Sequence, residues 1–382
     1  MSRFPTFLWL YAGIASSLLL RASVLDFESS DYKLFLSGWY DYFVRHGRWT
    51  ALKDDFSSYP PLYLYLLSLS TLLPLPKLHA IKLISISCDY LAAWIAFKIV
   101  RYRFQRGTLP WASALSVLFL PTVWFNSAVW GQCDVMFTAT LLGTLHYLLI
   151  RRPLAAMIAF GFACSLKPQA IFFVPFLGGV FFRERWPWKC LLIPTLIYTV
   201  CGLPAVLAGK PILELLFHWG RQRNYARLTL GATNWYQWIS NEHYQVVCLC
   251  GIVLTILATA FLILAMQQQT STEHGAWLVT TALLSVLVVP YFLPGMHERY
   301  FYAADLFSVV YSFFVARGWM VAALVQFCSF FTYLPYLFQI EPVPRPLLAG
   351  VMTLAIGFVV SDYWNSLFES KSMNGKFSER KL

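Results

Sequence analysis

Met296-His297-Glu298-Arg299-Tyr300 sets an imidazole, a carboxylate and a guanidinium between two apolar runs of a chain that is 58% hydrophobic and 12% charged. Ionisable groups are costly beside hydrocarbon, so such a cluster is by default a candidate for a pathway or a substrate site. Histidine and arginine there suit a phosphate, and the carboxylate suits a sugar hydroxyl or the arginine itself. An internal Glu298–Arg299 bridge is disfavoured if these residues continue a helix, because adjacent helical side chains do not face each other. Pro294-Gly295 just upstream permits a sharp turn.

Three more polar clusters carry the same kind of chemistry. In Ser30-Asp31-Tyr32, the aspartate reads either as a helix N-cap or as a general base that takes a proton from a hydroxyl acceptor. Asp41, ten residues on and close to three helical turns away, is the second candidate for that base. Asp54 and Asp55 read as solvated loop charges. Trp130-Gly131-Gln132-Cys133-Asp134 combines a flat stacking face, a tight turn, an amide and a carboxylate, although an aspartate opening a helix is favourable without any further role. Lys167 beside Pro168 and Gln169 reads as a snorkelling helix end or as a phosphate contact that Gln169 helps to orient. Asp89, in an apolar run with serine neighbours, is expected to be satisfied by serines or to lie near a cavity, and His146 is read as structural.

The elements that must position these groups are membrane helices. Apolar stretches of about 18 to 24 residues recur from Phe4 to Tyr363, each long enough to cross a hydrocarbon core of about 30 Å. The expected fold is an all-α polytopic membrane protein with about twelve transmembrane helices, within a range of ten to thirteen. The spans fall near 4–25, 79–100, 108–127, 135–150, 154–167, 169–182, 189–209, 246–266, 276–294, 302–316, 318–340 and 345–363. The first reads as a retained helix, since no small-residue cleavage site follows a short apolar core. With the N-terminus inside, the turns holding Arg101 and Arg103, Arg151 and Arg152, Arg183 and Lys189, and Arg317 are all cytoplasmic, which follows the positive-inside rule. One membrane domain over 1–363 and a basic cytoplasmic tail over 364–382 result, with both termini inside.

Two long outer segments stand apart, 26–78 and 210–245, and long loops between ordered elements are usually functional. Asp31 to Val44 suits a helix lying in the interface. A juxtamembrane helix is expected to start near Pro61, where a missing N–H costs nothing. The second segment mixes Arg221, Arg223 and Arg227 with Trp219, Tyr225, Trp235, Tyr236 and Trp238. This is either a stretch at headgroup depth or, with Tyr59 of the first segment, part of the wall of a polar cavity. In this topology all four clusters share the outer face, whereas scattered surface charges would be split between both faces.

The net charge of +11 is spread over short loops, which points to anionic headgroups and lipid-linked substrates rather than to nucleic acid. The eight cysteines form no Cys-x-x-Cys pair, and Cys248-x-Cys250 lies inside an apolar run, so packing is their reading.

At these clusters the chain resembles the GT-C superfamily of membrane-embedded glycosyltransferases, which use polyprenyl- or dolichyl-phosphate sugars. The likeness runs from about residue 5 to 340. The acidic residue after the first helix and the later (Tyr/His)-Pro-Pro-Leu element correspond to Asp31 and to Tyr59-Pro60-Pro61-Leu62. Trp130-Gly131-Gln132-x-Asp134, Leu166-Lys167-Pro168-Gln169 and Met296 to Tyr300 are similar to motifs in bacterial relatives of the second mannosyltransferase of GPI-anchor assembly. A His-Glu-basic cluster also occurs in the glucosyltransferases that extend the lipid-linked oligosaccharide of N-glycosylation.

The resemblance implies that Asp31 is the base, that Lys167, His297 and Arg299 hold the donor phosphate, and that Gln132, Asp134, Gln169 and Glu298 line the sugar site, with Trp130 a further substrate-binding residue. It implies an inverting transfer of a hexose, mannose first and glucose second, from a polyprenyl-phosphate donor to a lipid or glycan hydroxyl on the outer or lumenal face. A bacterial inner membrane is the favoured location and a monomer the expected state. No tightly bound cofactor is implied. The acidic motif is single here where many superfamily members pair two carboxylates, so divalent-metal assistance stays open, as does the base between Asp31 and Asp41. A flippase or transporter of a lipid-linked sugar is the rival, but it needs a polar path across the bilayer, and these spans carry most of their charge at the outer ends. A structural membrane subunit would leave function intact in Arg299→Ala and Asp31→Ala.

Overall fold

The computed structural model describes residues 4–216, 226–268 and 274–379, with side chains over 8–216, 226–268 and 274–366. Among the described residues the α-helices are, in chain order, α1 (Phe4–Ala22), α2 (Ser37–His46), α3 (Pro61–Ser70), α4 (Lys77–Arg103), α5 (Leu109–Phe119), α6 (Pro121–Trp124), α7 (Asp134–Leu149) and α8 (Pro153–Leu166). They continue as α9 (Val174–Arg183), α10 (Leu192–Leu207), α11 (Ile212–Leu216), α12 (Tyr244–Gln268), α13 (His274–Phe292), α14 (Tyr302–Ser312), α15 (Gly318–Phe338) and α16 (Arg345–Glu379). Two short strands, β1 (Thr229–Leu230) and β2 (Met296–His297), pair in parallel.

This is an all-α, multi-pass membrane protein. Among the described residues six helices are long and apolar enough to cross a bilayer: α4, Trp188–Leu207 around α10, Asn241–Gln268 around α12, α13, α15 and Arg345–Ser366 within α16. A seventh forms if α5 and Pro121–Trp130, bent by 48° to each other, count as one broken span. The expectation of about twelve therefore counts apolar runs rather than helices of spanning length. The runs 135–150, 154–167, 169–182 and 302–316 are helices of 16, 14, 10 and 11 residues. The described side chains of α1, Leu8–Ala22, fall in the same shorter class. Prolines cut several of these runs: Pro153 opens α8, Pro168 opens a 3₁₀ turn, and Pro175 lies in the first turn of α9.

The helices group into two compact units, Met1–Ala170 with Trp188–Arg223 and Ile171–Pro187 with Asn224–Leu382. In the first, α4 packs against α5 and α7, α7 against α8, and α8 against α10. Buried Ala92, Ala93 and Ala96 let neighbours approach α4 closely. The helix Trp188–Leu207 buries only 11% of its apolar window, as a lipid-facing span does. In the second unit α13 is central, with 78% of its window buried, and packs against α12, α14 and α16.

The first long segment, 26–78, forms the short helices that its pattern predicts. A π-helical turn, Tyr32–Leu36, runs into α2, and α3 starts at Pro61 and stops after ten residues, too short to span. The run 108–127, expected as one span, is broken instead. Leu120 is extended (φ −60°, ψ 123°), the conformation favoured before a proline, and Pro121 restarts the chain in a new direction. A π-helix, Phe125–Trp130, follows and ends on Gly131. π-Helical turns are rare and cluster at functional sites.

Candidate active site

Asp31 sits between α1 and the π-helical turn that leads into α2. The buried Lys82 of α4 holds the chain just after α1, its Nζ donating to the carbonyls of Leu25 (2.8 Å) and Phe27 (2.6 Å). Ser29 Oγ donates to the Trp130 carbonyl (2.6 Å) and accepts from the Tyr32 N–H (3.1 Å). Asp31 therefore arrives buried beside the π-helix. The N-cap reading fails: its backbone is already helical (φ −65°, ψ −35°) and its side chain makes no cap hydrogen bond. The carboxylate turns instead to Trp130, whose indole Nε1 donates to Oδ2 at 2.9 Å, and to Gln132, whose Nε2 donates to the same oxygen.

Gln132 passes this contact on. Its Oε1 accepts from the Tyr59 hydroxyl (2.8 Å) and lies 3.5 Å from Lys167 Nζ. Only one amide orientation satisfies all three neighbours, because the reverse would turn the NH₂ group toward an ammonium. Lys167 Nζ binds Asp134 Oδ1 at 2.6 Å and stands 5.2 Å from the centre of the Tyr59 ring. Asn126 Nδ2 donates to the other Asp134 oxygen at 2.9 Å. Asp31, Trp130, Gln132, Tyr59, Lys167, Asp134 and Asn126 thus form one buried polar network inside the first unit. Three of the four sequence clusters meet in it. Gln169 lies in the turn after Lys167, buried, with an Oε1 that has no hydrogen-bond partner among the described residues.

The fourth cluster belongs to the second unit and has its own frame. β1 pairs with β2 so that Leu230 faces His297, and the Gly295 N–H donates to the Leu228 carbonyl (2.8 Å). Gly295 takes φ +75°, the sharp turn expected of Pro294-Gly295. Glu298 is buried, with its Oε1 3.1 Å from Arg299 Nη1 and its Oε2 3.7 Å from His297 Nδ1. The adjacent Glu298–Arg299 pair does form, against the helix-based expectation, because the residues lie in a turn after β2, where neighbouring side chains can meet. Arg221 and Arg223 lie outside the described residues, as do Trp219 and Tyr225.

Residues 56–290, well over half of the chain, match the sequence model of glycosyltransferase family 87. The protein belongs to glycosyltransferase family 87. No curated protein matches it. The matched region of this family 87 chain takes in Tyr59, the Trp130 to Asp134 motif, Lys167 and Gln169, while Asp31 and His297 to Arg299 lie on either side of it.

Other expected residues of the family 87 protein take different places. Asp41 is half-exposed and bound to Lys77 at 2.8 Å, apart from the network around Asp31. Asp54 is more than a solvated charge. It accepts from the Tyr42 hydroxyl (3.0 Å), and that bond, with some desolvation, raises the Tyr42 phenol above its usual 10.0. Asp55 is 3.8 Å from Lys210. Among the described residues no group of three or more His, Cys, Asp or Glu side chains is placed to hold a metal ion. Sequence reasoning missed Asn126, whose contact with Asp134 depends on the π-turn.

Gly131 carries the turn of the Trp130 motif at φ +79°, with no tight neighbour. Gly131→Ala adds only conformational strain, so we expect a loss of about 1 to 2 kcal/mol, read as a lower unfolding temperature in detergent or nanodiscs.

Proposed function

We propose that this family 87 protein transfers a hexose, mannose first and glucose second, from a polyprenyl-phosphate carrier to a hydroxyl acceptor on the outer or lumenal face, inverting the anomeric carbon. The observation that carries this reading is the buried Asp31 carboxylate, held by Trp130 and Gln132 in a network that also contains Tyr59, Lys167 and Asp134. Asp31 accepts the proton of the acceptor hydroxyl, that oxygen bonds to the anomeric carbon, and the bond to the carrier phosphate breaks on the opposite side. The polyprenyl phosphate leaves with the bonding electrons. His297 and Arg299 supply positive hydrogen-bond donors suited to the charge that builds on it. Lys167 is already met by Asp134, so we assign it to holding Gln132 and Asp134 for the sugar rather than to the phosphate.

Gln169 and Glu298 are assigned to sugar hydroxyls. A bacterial inner membrane, both termini cytoplasmic and a monomeric enzyme complete the reading, with a lipid-linked glycan, a glycolipid, a polysaccharide or a protein as acceptor. The test is purified protein in lipid, given polyprenyl-phosphate mannose or glucose and candidate acceptors. Transfer of label to an acceptor supports the reading. Movement of the carrier across the bilayer without sugar transfer identifies a flippase and defeats it.

A further inference from the structure

The first unit also buries an ion pair that takes no direct part in the Asp31 network. Arg21, near the end of α1, and Asp89, near the middle of α4, are both fully buried, and Arg21 Nε lies 2.9 Å from Asp89 Oδ2. Arg21 Nη1 donates to the Ser17 carbonyl (3.2 Å) in its own helix, and Nη2 donates to the Leu118 carbonyl (3.1 Å). Leu118 is in the last turn of α5, just before the break at Leu120-Pro121, so the N–H four residues on lies past the bend. In hydrocarbon such a carbonyl needs a substitute donor, and Arg21 is that donor. On the far side of the bend, Ser127 Oγ donates to the same Asp89 oxygen at 2.6 Å. One ion pair therefore grips the chain before and after the 48° bend.

The gripped segment is the one that carries the site. Ser127 is the centre of a π-helix whose Asn126 binds Asp134 and whose Trp130 binds Asp31 through its indole and Ser29 through its carbonyl. The Gln132 N–H also closes back onto the Asn126 carbonyl at 2.8 Å. Stability alone is a poor reason for such a pair, since well-packed apolar residues usually serve a fold as well or better. A rare π-turn that has to hold two side chains in register is a better one.

We propose that Arg21 and Asp89 are positioning residues: their ion pair fixes the π-helical segment Phe125–Trp130 and, through it, the orientation of Asp31 and Asp134. The expected effect on rate rests on the transferase reading above, whereas the effect on the segment does not. Two variants test it, the apolar pair Arg21→Met/Asp89→Leu and the milder Ser127→Ala, which removes one link only. Two readouts are taken on full-length protein in nanodiscs. The first is alkylation of Cys133, a buried thiol just past the segment, mapped by mass spectrometry with buried Cys328 of the second unit as the internal control.

The second readout is sugar transfer, separated into kcat and KM. We expect Cys133 to be alkylated several-fold faster in both variants with Cys328 unchanged. We expect kcat to fall by about 10²-fold in the apolar pair and about tenfold in Ser127→Ala, with the donor KM within about threefold of wild type, as for a misplaced rather than a missing catalytic group. Unchanged Cys133 protection overturns the inference whatever the activity, and so does faster alkylation at an unchanged kcat. If the apolar pair does not fold, Ser127→Ala decides alone. Wild-type protein that transfers no sugar overturns the transferase reading, and alkylation then decides the positioning by itself.

Discussion

Asp31→Asn is expected to cut sugar transfer by about 10² to 10⁴-fold while donor binding survives, the range in which a positioned general base acts. Asparagine has the shape of aspartate and can still turn a carbonyl oxygen to the Trp130 indole and the Gln132 amide, which both meet Oδ2 in the wild type. What it loses is the capacity to take a proton from the acceptor. Single-turnover transfer together with separate binding of the polyprenyl-phosphate sugar makes the distinction. Asp41→Asn is the control. It removes a half-exposed contact to Lys77, and an exposed pair is worth at most about 1 kcal/mol, so turnover should stay near normal. If Asp41→Asn abolishes turnover and Asp31→Asn does not, the base is Asp41.

Lys167→Met should be the most destabilising single change at the site. The side chains of Lys167 and Asp134 are 5% and 2% exposed at a separation of 2.6 Å. Removing the cation leaves a buried carboxylate that still accepts from Asn126 but faces no countercharge from Lys167. Breaking such a pair from one side costs about 3 to 5 kcal/mol, whereas replacing both partners with apolar residues is often neutral or stabilising. Lys167→Met/Asp134→Leu should therefore regain most of the lost unfolding temperature without regaining transfer. Activity stays low because Gln132 loses a neighbour that holds its amide and the proposed sugar site loses its carboxylate. A Lys167→Met protein that unfolds at the wild-type temperature and transfers at the wild-type rate would show that the pair contributes nothing.

Several of these residues were readable from the chain because their chemistry was out of place in it. Asp31, Asp134, Lys167 and Glu298 are charges beside apolar runs, and each is buried among polar partners. The starts of α3, α7, α8 and α13 were readable too, since proline positions and apolar periodicity are local signals. The number of spans was not, because an apolar run of 16 residues looks like a span until proline and glycine decide how much of it is helix. Asn126 gave no signal: its tie to Asp134 depends on a π-turn that adds one residue to the helical repeat and re-aims the side chain. The Glu298–Arg299 contact is hidden in the sequence because it depends on the chain forming a turn beside β1 rather than a helix.

By itself the sequence determined the class of protein and the chemistry it can offer. Apolar runs must bury their backbone in helices within a membrane, and carboxylates, lysine and arginine are kept at their borders only where something polar meets them. The tertiary structure decided which of those groups meet. It joined Asp31 to Trp130 and Gln132 across about a hundred positions of chain, bound Lys167 to Asp134 and gave Asp41 to Lys77. Such pairings depend on the bend at Leu120-Pro121 and on which helices lie side by side, and both are settled by packing and by long-range hydrogen bonds that no local pattern encodes.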